Sequence, residues 1–349
     1  MMRLVIRADA GTVPEIGTGH VLRAITLADA LHQSVLFQES EICFATREYP
    51  PYELGGKLIR QAGYEVITNS GLEPNGPLEL DSILSARPDI VIFDRLETDA
   101  NLVVNLKSAG AFVATLDDLG QGRVHADLAI NSLLQNVDPG PKVFVGYDYL
   151  FLPSAGIIKS EIRECASTIF VSFGGFDHRQ LNAYFLDLIP KIEGPKRYEI
   201  IVSGLAADDL DALSGLARRI AATSRVDIVM HQRPENYYQL LGASDLAIVS
   251  GGLTAFGCAQ AGVPAIGIPQ YEHQLENLNR LEAHGCLKLG ARSMELDSEI
   301  LSELIGDLAA DYQERLAMNR AGTSLTDGQG LVRTVNLIAD NYARHRDRN

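Results

Sequence analysis

Short runs of β-branched and other apolar residues alternate along the chain with Gly, Asp or Asn turns and with stretches whose apolar residues recur at helical spacing. A strand buried on both faces of a parallel sheet reads as a continuous apolar run, and strands alternating with helices mark βα units. In the first half the pattern predicts strands at Leu4–Arg7, Glu41–Ala45, Glu65–Ile67, Asp89–Phe93, Phe112–Leu116 and Leu128–Ile130, with helices at Val21–Leu31 and Leu54–Gln61. From about Val143 to Ser167 neither period holds, which predicts a domain boundary. The alternation restarts with strands at Thr168–Phe173, Glu199–Val202, Asp227–Met230, Leu246–Ser250 and Ala265–Ile268, and helices at Gln180–Leu188, Ala207–Ala221, Glu276–His284 and, last, Leu331–Tyr342 with a frayed tail. The expected fold class is therefore α/β: two Rossmann-like domains with parallel sheets facing across a cleft, over residues 1–155 and 165–330, followed by a C-terminal helix and tail over 331–349. A length of 349 residues suits two such domains.

Composition narrows the partners. The 45 acidic against 30 basic side chains give a net charge of −15, and no basic cluster precedes the tail, so nucleic acid is not an expected partner. An anionic ligand stays open, because backbone amides at helix starts attract anions without any basic residue. Cys43, Cys165, Cys258 and Cys286 form no CxxC pair and have no His at ligand spacing, so neither a metal nor another cofactor is expected. Reduced cysteines, the absence of a long apolar stretch and an N-terminal apolar run too short for a signal peptide point to a cytoplasmic protein without a membrane segment. Nothing in the composition bears on the oligomeric state.

In open parallel sheets ligands bind beyond the carboxyl ends of strands, which directs attention to three loops. The first, Ala8–His20, carries Gly17-Thr18-Gly19-His20 into a helix. Leu22 stands where a dinucleotide fingerprint needs its third small residue and the loop is too long for that turn, so that fingerprint is rejected. His20 at a helix start, where neutral imidazole is favoured, is a candidate general base; an N-cap or loop-anchor role is the alternative. The second loop is Phe173-Gly174-Gly175-Phe176-Asp177-His178, where the glycines suit a phosphate-facing turn and Asp177 suits an N-cap. The third is Ser250-Gly251-Gly252-Leu253-Thr254, followed by Tyr271-Glu272-His273-Gln274-Leu275-Glu276-Asn277. Asp117-Asp118 could meet a sugar hydroxyl or position His20. For His231 and for Asp94-Arg95 a structural or positioning role is favoured. No Gly-x-Ser-x-Gly elbow and no Walker A sequence occurs.

Ile6-Arg7-Ala8-Asp9 with Ile16-Gly17-Thr18-Gly19-His20-Val21-Leu22-Arg23, then Leu116-Asp117-Asp118, Asn131, Val171–Asp177, Ser250–Thr254, Gly262-Val263-Pro264 and the Gln274–Gly285 segment, resemble the UDP-2,4-diacetamido-2,4,6-trideoxy-β-L-altropyranose hydrolases of pseudaminic acid synthesis. These are relatives of the lipid II N-acetylglucosaminyltransferase with a GT-B fold. The resemblance implies water attack at the anomeric carbon of a UDP-linked diacetamido sugar, with His20 as catalytic base and no metal. It implies substrate or nucleotide contacts from Gly17, Gly19, Arg23, Asp117, Gly174, Gly175, Asp177, Gly251, Gly252, Thr254, His273, Gln274 and Asn277. The chain differs from the family at Gly257, where a Glu usually meets the ribose, at His273, where Asn is usual, and near Leu96, where a Tyr is usual. A GT-B glycosyltransferase and a non-catalytic nucleotide-sugar binding protein are the alternatives. A transferase with a lipid acceptor should show an exposed apolar or basic patch on its first domain, and none is read from the sequence.

Overall fold

The apolar runs become the strands of two parallel sheets in a computed structural model that describes residues 1–13, 16–67, 72–133, 142–152, 161–205 and 207–347. The chain divides into one unit of Met1–Pro153 with Gly328–Asn349 and a second of Ser154–Asp327. Residues 153–160, within the stretch where the boundary is expected, lie outside the described residues.

In the first unit the described strands are β1 (Arg3–Ala8), β2 (Glu41–Ala45), β3 (Glu65–Ile67), β4 (Ile90–Asp94), β5 (Phe112–Leu116), β6 (Leu128–Asn131) and β7 (Val143–Val145). They pair in the order β3-β2-β1-β4-β5-β6-β7, all parallel. The helices between them are α1 (Gly19–Gln33), α2 (Glu53–Gln61), α3 (Pro77–Ser85), α4 (Ala100–Ser108) and the single turn α5 (Gly122–His125). The strands bury both faces, as their unbroken apolar runs require. Leu4, Ile6, Ile92 and Ala114 pack under Val21, Leu27 and Leu31 of α1, while Val5, Val91, Phe93 and Val113 pack under Ile83 of α3 and Leu102, Val103 and Leu106 of α4.

The second unit repeats the plan with β8 (Thr168–Ser172), β9 (Arg197–Val202), β10 (Asp227–Gln232), β11 (Leu246–Val249), β12 (Ala265–Gly267) and β13 (Leu287–Leu289), in the order β10-β9-β8-β11-β12-β13. Its helices are α6 (Leu181–Leu188), α7 (Ala207–Ser224), α8 (Tyr237–Ala243), α9 (Leu253–Ala261), α10 (Glu272–Ala283), α11 (Ser298–Ala310) and α12 (Tyr312–Leu325). Its core joins Ile169, Val171, Ile200 and Ile248 to Phe185 of α6, Ala217 of α7 and Ile305 of α11. The last helix, α13 (Gly330–Arg346), runs past the expected Tyr342 and seats Val335, Ile338 and Tyr342 in the core of the first unit.

Two strands differ from the expectation. β7 lies inside the stretch read as lacking any period, and β13 was not read at all. Both are three-residue strands at a sheet edge. In each sheet the order reverses once: β1 and β4 are neighbours in the first, β8 and β11 in the second. Those are the switch points at which a crevice opens at the carboxyl ends of an α/β sheet.

Candidate active site

The switch point of the first sheet holds His20. The loop between β1 and α1 folds back on itself, with Gly11 N donating to Gly17 O at 3.3 Å and Thr12 N to Pro51 O at 3.2 Å. Residues 14 and 15 of this loop lie outside the described residues. Thr18 is the N-cap position of α1 and makes no side-chain cap hydrogen bond, and His20 is the second residue of the helix. Its Nδ1 lies 2.7 Å from Asp94 Oδ1 at the end of β4, and its side chain keeps 22% exposure. Asp94 is ionised: burial alone would push its carboxyl up, but the Arg23 guanidinium and His20 outweigh burial and hold it at about 2. A carboxylate only accepts, so Nδ1 carries the hydrogen, and in the neutral imidazole Nε2 is left as the proton acceptor.

Arg23, one helical turn beyond His20, does not reach outward as expected of a substrate contact. It is buried, its guanidinium bound to Asp94 Oδ2 at 2.9 Å and Oδ1 at 2.5 Å and to Asp117. Asp117 is in turn committed to Ser132 Oγ at 3.0 Å and Leu133 N at 2.7 Å, so it neither touches His20 nor offers a free oxygen on the side of Arg23. Two carboxylates against one guanidinium leave an excess negative charge behind His20, which compensates the positive charge of an imidazole that has taken a proton.

Asp118 braces the neighbouring loops by accepting from Thr98 N and Gly120 N. Arg95 is buried against Glu79 at 2.7 Å, and Glu79 also binds Arg7, which pairs with Asp9 at 2.6 Å. Arg95 thus belongs to a second set of buried ion pairs. Exposed leucines border the network. Leu96 is 42% and Leu119 50% exposed, and Leu119 N donates to Leu96 O at 2.6 Å. Both leucines sit on the loops just after β4 and β5.

At the switch point of the second sheet stand the two glycine turns. Gly174 takes φ +84°, a conformation that favours glycine. Gly251 is close-packed: a Cβ there would lie 2.6 Å from Gln274 O. Gly252 has neither constraint, with ordinary φ of −94° and nothing within 4 Å of a Cβ, so open space lies before the first amides of α9. Asp177 caps the start of α6, its carboxylate accepting from Leu181 N and Asn182 N at 2.8 Å each.

Gln274 and Asn277 also turn inward. Gln274 Oε1 accepts from Gln270 N at 2.9 Å, Gln270 Nε2 donates to Phe173 O, and Asn277 Nδ2 donates to Gly251 O at 3.1 Å. They hold the turns in place where the resemblance implied ligand contacts. His273 stays exposed and its ring lies parallel to Tyr271, 5.5 Å between centroids, with His178 on the same tyrosine at 5.8 Å. Thr254 Oγ1 lies 2.8 Å from the Tyr237 hydroxyl. His231 falls inside β10 and pairs with Glu199 at 2.6 Å, a structural role. Among the described residues no group of three His, Cys, Asp or Glu could hold a metal ion, and no helix is long and apolar enough to cross a membrane.

The chain is similar to known proteins over nearly its whole length. No family model matches it. It is 26% identical to the spore coat polysaccharide biosynthesis protein SpsG of Bacillus subtilis, covering 98% of this chain and 99% of that protein. Among solved structures, MurG of Acinetobacter baumannii is similar with a TM-score of 0.69 at 17% identity, over 97% of this chain and 100% of that one. The UDP-GlcNAc 2-epimerase of Neisseria meningitidis, solved bound to UDP-GlcNAc, has a TM-score of 0.60 at 13% identity, over 97% and 100%. The two parallel-sheet, Rossmann-like domains of this chain are those of the GT-B fold.

Proposed function

We propose that the chain is a nucleotide-sugar hydrolase that releases a nucleoside diphosphate, UDP by the resemblance, and a free diacetamido-trideoxy sugar for surface polysaccharide or nonulosonic acid synthesis. The observation that carries the reading is the His20–Asp94 pair, which holds Nδ1–H in place and leaves Nε2 to act as base at a sheet switch point. Nε2 takes a proton from water as the water oxygen bonds to the anomeric carbon and the bond from that carbon to the diphosphate oxygen breaks. The electron pair leaves on the diphosphate; in the second unit the amides of the Gly174–Gly175 turn and of the start of α9 are the groups suited to hold a diphosphate. Similarity to a spore coat polysaccharide protein and to a structure holding UDP-GlcNAc supports a nucleotide sugar as substrate.

The similarity of fold to MurG supports a second reading. A glycosyltransferase would use the same base on the hydroxyl of an acceptor. The test is a UDP-release assay on UDP-linked diacetamido-trideoxy sugars, with and without added acceptor, reading free sugar by NMR. Release without acceptor, reduced on the order of 10² to 10⁴-fold in a folded His20→Ala variant, is the expected result. Release only with acceptor establishes the transferase. Binding with no release in either condition overturns both in favour of a non-catalytic binding protein.

A further inference from the structure

Ser172 ends β8, just before the Gly174–Gly175 turn, and Thr254 lies in the first turn of α9, just after Gly251–Gly252. The strands that carry these turns are paired, with Ser172 opposite Val249. A tyrosine from a third element, α8, stands between them. The Tyr237 hydroxyl donates to Ser172 Oγ at 2.8 Å and lies 2.8 Å from Thr254 Oγ1. A phenol has one hydrogen, and it is already given to Ser172, so Thr254 is the donor in the second bond. Ser172 Oγ in turn accepts from Gly174 N at 3.5 Å.

One chain of polar groups therefore links the start of α9 to the amide of Gly174. Ser172 and Thr254 thus share one partner, the Tyr237 hydroxyl. Backbone amides of the two turns can meet an anion, and their mutual spacing depends on the groups that tie the turns. We propose that Tyr237 is a positioning residue of the second unit: its hydroxyl sets the Gly174–Gly175 turn and the first amides of α9 at the spacing that a nucleoside diphosphate requires. The inference rests on the nucleotide-sugar reading given above.

The ring is held independently of the hydroxyl. It meets Phe170 edge-on at 5.3 Å and 86° and Tyr238 at 5.1 Å and 71°, so removing the oxygen leaves the ring packed. Burial pushes the phenol up to about 12, so it keeps its proton at any working pH.

The experiment is calorimetric titration of the full chain and its Tyr237→Phe variant with UDP, dTDP, CDP and GDP, each nucleotide that binds being paired with its own nucleoside. The expected result is a loss of about three- to tenfold in diphosphate affinity, the range of one neutral hydrogen bond, with nucleoside affinity unchanged. Thr254→Val, which removes the other bond to the same oxygen, should show a similar loss, and the double variant little more than either single one. A tie that serves only general stability would weaken nucleoside and diphosphate alike, and that outcome overturns the inference, as does unchanged diphosphate affinity in both variants. Should Tyr237→Phe fail to fold, Thr254→Val decides alone. A wild-type protein that binds none of the four nucleotides overturns the nucleotide reading itself and this inference with it.

Discussion

The two sheets share a strand order and a switch point, yet the groups gathered there are of opposite kinds. The first unit places ions at the ends of its strands: Arg23 between Asp94 and Asp117, and Arg7 between Asp9 and Glu79. The second places hydroxyls, amides and glycines: Ser172, Tyr237, Thr254, Gln270 and Gln274, with Asp177 already consumed by α6. Under the proposed function the difference fits what each task would tolerate. Moving a proton needs a base whose orientation and charge are fixed by neighbours, and buried ions do that at a desolvation cost. Holding a diphosphate needs amides with no carboxylate competing for them, and a neutral network meets that requirement in a chain of net charge −15.

The largest effect that would break this division is at Asp94. Asp94→Asn keeps the shape but replaces an acceptor-only group with one that can also donate, so His20 is no longer held with its hydrogen on Nδ1. Sugar release should fall on the order of 10² to 10⁴-fold, while diphosphate binding, assigned to the second unit, stays at the wild-type value. Assaying both on one preparation checks the pair of expectations. Wild-type release from the folded variant would remove the ionic network from the mechanism.

Acid should separate the units next. Asp9 and Asp94 both sit at about 2 against an ordinary 3.8; burial opposes this, and Arg7 and Arg47 around Asp9, and Arg23 and His20 around Asp94, overcome it. A carboxyl depressed in the folded state contributes stability that is full above about pH 4 and lost as pH falls toward 2. That is roughly 2 kcal/mol for each of the two groups. Asp118 of the same unit shifts up with burial and offsets a part. In the second unit burial raises the Asp177 carboxyl, so its protonation relieves a cost as pH falls. Hydrogen exchange read by mass spectrometry between pH 5 and 2.5, corrected for intrinsic rates, should show β1, α1 and β4 losing protection before β8, β11 and α9. Simultaneous loss would mean that the ions do not distinguish the units.

Much of this frame is legible in the sequence, and the part that is not has a common cause. Apolar runs such as Ile90–Phe93 announce buried strands, and Gly17-Thr18-Gly19-His20 announces a special helix start, because both signals are local. The partner of His20 is 74 residues away and becomes its neighbour only because β4 lies beside β1. Arg23 is a ligand contact only by the resemblance, which does not say whether its helix face meets solvent or a buried carboxylate. Gln274, Asn277 and Asp177 were likewise expected on the ligand through the resemblance, while the residue pattern itself suited Asp177 to an N-cap. A polar side chain near a glycine turn can serve the ligand or the turn, and the choice depends on backbone groups far along the chain. Tyr237 offered no signal, since its partners are 65 and 17 residues distant.

The smallest effect tests whether the neutral region meets a ligand at all, and two adjacent glycines make the comparison internal. Gly251→Ala would put a Cβ 2.6 Å from Gln274 O and 2.8 Å from Gln274 Cβ, so α10 or the turn must shift, at roughly 1 to 3 kcal/mol of stability. Gly252 meets nothing within 4 Å and needs no unusual backbone angle, so packing gives no reason for glycine there. Gly252→Ala should therefore melt within a degree or two of wild type, yet lose on the order of fivefold in diphosphate affinity, the equivalent of about 1 kcal/mol of crowding against a bound phosphate. Thermal melts and UDP titration on the two variants separate the cases. If Gly252→Ala binds as tightly as wild type, the open space before α9 is not where the diphosphate lies, and the amides that Tyr237 is argued to align would have to serve the Gly174–Gly175 turn alone.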